Sequence, residues 1–254
     1  MNPFFPELCC AQEAAHRAGD LLRQRFLQER IVDEELAHDI KLRLDKECQQ
    51  LICDTLMRAY PNYAFLGEEG GNGGEIEWII DPLDGTVNYY YGLPLFCVSI
   101  ALRVHGVLEL GCIYAPMLNE CFCALRGEPA TLNGKPIHVS TRAEAAQAII
   151  FAGHGAHDGS GEAGIRRFAR LSARVRKMRI LGSAALSLSY IAAGRLDAYI
   201  EQSIHLWDLA AAKVILESAG GRLDFTPRDA TGLTGSVLAW NAHLPLPALL
   251  ADLT

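Results

Sequence analysis

Residues Trp78–Thr86 spell WIIDPLDGT, and the fold is decided there. Trp78, Ile79 and Ile80 form a short apolar run bounded by turn residues, the pattern of a buried strand. Two acids three apart, Asp81 and Asp84, follow at its end, packed among Pro82, Gly85 and Thr86. Proline fixes its own φ and glycine permits conformations that a Cβ forbids, so a sharp backbone bend is expected where the carboxylates sit. A buried strand has no use for two neighbouring negative charges unless something neutralises them. A divalent cation would do so. Asp and Glu are hard oxygen ligands suited to Mg²⁺, which binds through a few carboxylates plus a substrate phosphate.

A bare DxxD more often marks an ordinary acidic turn after a strand. Two other segments change the reading. Gly67-Glu68-Glu69-Gly70 lies just upstream and Trp207-Asp208 far downstream. They supply the third and fourth acids that a two-metal site needs.

Upstream, Ala64–Leu66 is expected as a short strand into the acidic corner, and Gly71-Asn72-Gly73-Gly74 as a flexible turn. The spacing of Leu8, Ala11, Ala15, Ala18, Leu22 and Phe26 predicts a helix over 7–29. A second is expected over 45–59, with Cys48, Leu51, Ile52, Thr55, Leu56 and Ala59 on one side and Tyr60-Pro61-Asn62 ending it. Between them, His38–Asp45 alternates like a strand or extended loop. Downstream, Phe96–Val104, Val107–Tyr114 and Glu120–Leu125 predict an antiparallel meander, and Asn133-Gly134 is a further hairpin signal. Then strands are expected at Ala148–Ala152, Met178–Leu181, Ala198–Ile200 and Val237–Trp240. Helices are expected at Ala163–Val175, Ser183–Ala193 and Leu206–Ala219. This alternation predicts an α/β half (141–254) beside a more antiparallel α+β half (1–140), one compact unit with a seam near 140.

The chain has 254 residues, half of them hydrophobic, and a net charge of −7, which argues against a broad nucleic-acid-binding surface. No stretch approaches the roughly 20 apolar residues of a membrane span, and the N-terminus lacks a signal-peptide pattern. The eight cysteines include no CxxC pair, and Cys121-Phe-Cys123 looks like alternate residues of a strand. Reduced, buried thiols rather than a zinc site are expected, in a cytoplasmic protein.

Taken together, Gly67-Glu68-Glu69, Asp81-Pro82-Leu83-Asp84-Gly85-Thr86 and Trp207-Asp208 resemble the signatures of the inositol monophosphatase family over nearly the whole chain and in order. These are Mg²⁺-dependent, lithium-sensitive phosphatases of sugars and polyols, often homodimers. The resemblance implies an α/β (α+β) fold, a layered αβαβα sandwich. It implies a first metal on Glu68, Asp81 and the carbonyl of Leu83, and a second on Asp81, Asp84 and Asp208. Asp208 also suits the start of a helix by its charge. Glu68 and Thr86 would orient and deprotonate the attacking water, with Glu69 supporting the corner. The amides of Gly85 and Thr86 would donate to phosphate. The reaction implied is in-line attack of water on a phosphate monoester, without a covalent phosphoenzyme.

For the substrate, Glu201 stands seven before Asp208, where inositol monophosphatases place an acid that accepts ring hydroxyls. Gly182-Ser183-Ala184 resembles their substrate-contacting turn, although Ser183 also suits a plain helix cap. Asn88 fits the inositol-type DGTxN pattern, and His205 is expected to pack rather than ligate. Two departures stand out. Leu42 and Leu44 occupy the family's threonine places beside Lys41, which leaves a third ion open beyond the two Mg²⁺. Tyr89-Tyr90-Tyr91 replaces a family histidine, as core or as a rim of the substrate mouth. The leading expectation is hydrolysis of inositol 1-phosphate or a related polyol phosphate. The alternatives are fructose 1,6-bisphosphate, a 3'-phosphoadenosine-type nucleotide or histidinol phosphate, or a regulatory binding protein on the same scaffold.

Overall fold

The computed structural model describes residues 2–28, 31–35, 40–71, 73–153 and 161–251. The first helix, α1 (Phe5–Arg25), is followed by a small antiparallel pair, β1 (Val32–Glu35) and β2 (Ile40–Leu42), and by α2 (Arg43–Ala59). His38, Asp39 and Asn72, part of the readings above, lie outside the described residues. The second helix starts two residues earlier than its periodicity suggests. The Asp45 carboxylate accepts the Leu42 amide at 2.8 Å and caps the first turn. Ala59, expected on the buried side, is exposed.

The seven-stranded sheet runs β3 (Ala64–Gly67), β4 (Ile76–Asp84), β5 (Cys97–Val104), β6 (Val107–Ala115), β7 (Glu120–Leu125), β8 (Thr131–Leu132) and β9 (Lys135–Pro136) in spatial order. Strands β3 and β4 are parallel, and the rest form the predicted antiparallel meander. The two-residue turn Asn133-Gly134 has φ of 50° and 74°, as a type I′ hairpin requires. A short helix, α3 (Thr86–Tyr90), which periodicity did not reveal, links β4 to β5.

The second sheet is built from β10 (Ile149–Ala152), β11 (Lys177–Arg179), β12 (Ala198–His205), β13 (Arg222–Pro227) and β14 (Thr234–Trp240), in the spatial order β11-β10-β12-β14-β13. Its helices are α4 (Gly161–Ser172), α5 (Ala184–Ala192), α6 (Leu206–Ser218) and α7 (Leu246–Ala251).

Alternating side chains sort these elements into five layers. Trp78 and Ile80 point from β4 into a core shared with Ala11, Ala18 and Leu22 of α1 and Ile52 and Leu56 of α2. Ile79 points the other way, into a core with α5, α6 and the inner face of the second sheet. Ile150, Ala198 and Trp240 on that sheet's outer face pack with Leu171 of α4 and Leu246 of α7. The result is the expected α/β/α/β/α sandwich. Sheets covered on both faces read as near-continuous apolar runs, which is why β4–β7 stood out. Helix α6 is apolar nearly all round because it lies between the two sheets. No helix among the described residues is long and apolar enough to cross a membrane.

The seat of α6 depends on Gly111 of β6. A Cβ there would stand 2.2 Å from the backbone oxygen of Ala211. Gly111→Ala is therefore expected to destabilise the protein by about 1–3 kcal/mol, the usual cost of overpacking. Urea denaturation measures this, and an unchanged midpoint would contradict the packing described.

Candidate active site

The bend expected at the carboxylates is absorbed without ending the strand. Asp81 pairs with Ser99 and Asp84 with Cys97, so β4 fits one extra residue between them. Such a bulge re-aims side chains at the edge of a site. Asp81 and Leu83 are held to one another, the Leu83 amide donating to Asp81 Oδ1 at 3.0 Å. Gly85 then takes φ of 100°, closed in by the carbonyls of Leu95 and Gly182, and lets the chain turn into α3. Thr86 Oγ1 donates to the Leu83 carbonyl at 3.0 Å, so hydroxyl and carbonyl sit together.

The other acids arrive from separate elements. Glu68 follows β3, and its amide donates to the Ile80 carbonyl of β4 at 3.4 Å. Glu69 sits beside it, its amide donating to Gln49 Oε1 at 3.3 Å and its carboxylate 3.9 Å from Lys41 Nζ. Asp208 is in the first turn of α6, where Oδ2 accepts the His205 amide at 2.9 Å. Its charge there is stabilised by the positive end of the helix.

Asp84 makes the most connections. Its carboxylate accepts Ser183 Oγ at 2.6 Å, the Ala184 amide at 3.1 Å and the Ala185 amide at 2.7 Å, with Cys97 Sγ at 3.6 Å. The cap of α5 is thus supplied by Asp84, about a hundred residues upstream, and the Ser183 side chain does not cap its own helix. Asn88 completes this junction by donating to the carbonyls of Leu95 and Leu181, both at 2.7 Å.

Glu201 lies on β12, which runs on to His205 rather than stopping at Ile200 as its apolar pattern suggested. The hydroxyl of buried Tyr199 donates to the Glu201 carboxylate. Sequence reasoning missed Tyr199, Cys97 and Gln49 as neighbours of the site. For Tyr199 a signal existed, since residues two apart on a strand share a face. His205 is exposed and stacks on Trp207 at 4.6 Å, in keeping with packing rather than ligation. The tyrosine triplet divides: Tyr89 is core, bonded to the Leu22 carbonyl, whereas Tyr91 is exposed.

The electrostatics mark these acids as one set. Burial, then the charges of Glu68, Asp84 and Asp208, push Asp81 well above the usual carboxylate range. Burial raises Asp84 despite its hydrogen bonds to Ser183 and α5. Burial, then Asp84, raises Asp208, the His205 amide opposing. Burial pushes Glu201 up to about 7, with Asp84 adding to it. Among the described residues, no Lys or Arg forms an ion pair with Asp81, Asp84, Asp208 or Glu201. Buried like charges without a cationic side chain need an added cation or a proton, and an oxygen-only donor set suits a hard divalent ion. No three of these acids bring donor atoms mutually within 4.8 Å. Both Asp84 oxygens are turned toward α5.

Known proteins resemble this chain along nearly its whole length. A model described as the inositol monophosphatase family matches residues 6–253. An inositol monophosphatase of Mesembryanthemum crystallinum is 38% identical over 229 residues, covering 86% of this chain and 85% of its own. The Nus factor SuhB of Escherichia coli (strain K12) is 35% identical over 256 residues, covering 98% and 96%. The crystal structure of the extragenic suppressor protein suhB from Bartonella henselae superposes with a TM-score of 0.88 at 31% identity, covering 98% of each chain.

Proposed function

The chain belongs to the inositol monophosphatase family and is a phosphatase, and we propose that it hydrolyses the phosphate monoester of inositol or a related polyol with Mg²⁺ as cofactor. One observation carries this reading: Asp81, Asp84 and Asp208, from distant parts of the chain, raise one another's pKa and form no ion pair with a Lys or Arg among the described residues. Glu68, Asp81 and the Leu83 carbonyl would hold one ion, and Asp81, Asp84 and Asp208 a second. Bound there, two such ions supply a nucleophilic water at neutral pH and neutralise charge on the leaving oxygen.

The chain's own groups do the positioning. The Thr86 hydroxyl, poised beside the Leu83 carbonyl, orients the attacking water, and Glu68 takes its proton. The amides of Gly85 and Thr86 donate to the phosphoryl oxygens, the role for which a left-handed residue followed by a helix start is suited. Gly182–Ala184 forms the adjoining wall, fixed by the bonds to Asp84. Glu201, oriented by Tyr199, accepts hydroxyl groups of the polyol.

Phosphate release from a panel of inositol 1-phosphate, fructose 1,6-bisphosphate, a 3'-phosphoadenosine nucleotide and histidinol phosphate tests the substrate. Activity on the first should dominate and vanish with chelator. Glu201→Gln is expected to lower kcat/KM for inositol 1-phosphate roughly 10–100-fold, the worth of a charge-assisted hydrogen bond, and to spare a simple aryl phosphate. Equal losses on both would remove Glu201 from the substrate site. A second reading is kept because relatives in Escherichia coli and Salmonella typhimurium carry the name of a Nus factor rather than of an enzyme. On that reading a macromolecular partner would bind equally well to a variant that no longer binds metal.

A further inference from the structure

Away from the acids, another set of ligating side chains converges. The sulfurs of Cys112, Cys121 and Cys123 all lie within 4.8 Å of one another, and all three residues are buried. Register brings them together. Cys112 of β6 lies directly opposite Cys123 of β7, and Cys121, two residues along β7, shares that face. The Sγ atoms of Cys121 and Cys123 are 3.5 Å apart and those of Cys112 and Cys123 are 3.6 Å apart. The thiols face α1, which lays Gln12 and His16, one turn apart, over them. Gln12 Nε2 donates to Cys123 Sγ at 3.2 Å. The His16 ring lies tilted at 47° against Tyr114 with centroids 4.0 Å apart, beside the cluster but outside the three donors that already lie mutually within 4.8 Å.

We propose that Cys112, Cys121 and Cys123, joined by His16 once its exposed ring turns inward, form a tetrahedral binding site for Zn²⁺, separate from the acidic site. Zn–S bonds of about 2.3 Å at tetrahedral angles set sulfurs roughly 3.8 Å apart, close to the spacing already present. Three sulfurs and one imidazole are a donor set of structural zinc sites, soft where the acids are hard. On binding, three S–H bonds give way to three Zn–S bonds and three protons leave to solvent. The lone pair of a neutral His16 nitrogen makes the fourth bond, leaving a net site charge of −1 by arithmetic (+2 − 3). His16 is exposed, so its ring is free to turn toward the buried thiols. Occupied, the site would pin α1 to the middle of the first sheet.

The test uses the full-length reduced protein with Co²⁺ as a spectroscopic probe and Zn²⁺ as competitor. Thiolate ligation produces a sulfur-to-cobalt charge-transfer band, which oxygen ligands do not. The band should appear at one equivalent, be displaced by Zn²⁺, and persist in Asp81→Asn. It should be lost in the Cys121→Ser/Cys123→Ser double variant. His16→Ala removes an exposed ring and its contact with Tyr114, and should weaken Zn²⁺ binding at least about tenfold with the fold intact by circular dichroism. Absence of the band in the wild-type protein, or unchanged affinity in His16→Ala, overturns the site even if the double variant fails to fold.

Discussion

Asp81→Asn is expected to abolish phosphate release and at the same time to raise the melting temperature of the metal-free protein. Both effects have one cause. Asp81 is buried, and its charge is opposed by Glu68, Asp84 and Asp208. Asparagine removes that charge but keeps an oxygen to accept the Leu83 amide. The fold is relieved of a repulsion, whereas a carboxylate that would hold the metal is lost. A loss of at least about 10²–10³-fold in kcat is the scale for removing one preorganised electrostatic group. In a chain of this size roughly 1 kcal/mol moves Tm by about 2–4 °C, so a rise of a few degrees is the outcome to look for. Assays of phosphate release and calorimetry in chelator measure the two halves. A variant with wild-type turnover, or one less stable without metal, would contradict the placement of Asp81 at the centre of the site.

Mg²⁺ should stabilise the wild-type protein far more at pH 8 than at pH 5. In the metal-free protein the folded pKa values of Asp81, Asp84 and Asp208 lie above the usual carboxylate range, and that of Glu201 rises to about 7. Between the ordinary carboxylate pKa near 4 and these raised values, the folded state binds more protons than the unfolded state. Stability from this set is therefore fully present below about pH 4 and declines as pH rises through the folded pKa values. The metal-free protein should lose stability over that window. A cation that binds only the folded, ionised site opposes the loss, by about 2.7 kcal/mol at a hundredfold excess over Kd. Thermal melts over a pH series, with Mg²⁺ and with chelator, give two curves that should diverge as pH rises. Parallel curves would mean that the acids do not share an ion.

The sequence was most legible where burial is two-sided. Trp78–Ile80 and the meander after it show as dense apolar runs because helices cover both faces of their sheet. The metal-ligand candidates were legible because charge in such a run has few structural uses. What escaped notice has physical reasons. Strand β13 carries exposed Arg222, Asp224 and Pro227 at a sheet edge, where one face and one side are free of packing. Glu201-Gln202-Ser203 breaks the apolar pattern of β12 where the pairing with β14 shifts register and the side chains are only half-buried, so the pattern ends before the strand does. Helix α3 is too short to show a period. The thiol cluster was invisible because its members are gathered by cross-strand register, which CxxC spacing does not encode.

The bonds from Asp84 to Ser183, Ala184 and Ala185 give catalysis a place in the order of folding. The first sheet can assemble from contacts among near neighbours in the chain, but Asp84 finds its partners only when α5 docks from the other half. On the proposed role of Asp84, regained turnover during refolding should trail the recovery of Trp78 fluorescence, read in a Trp207→Phe/Trp240→Phe background.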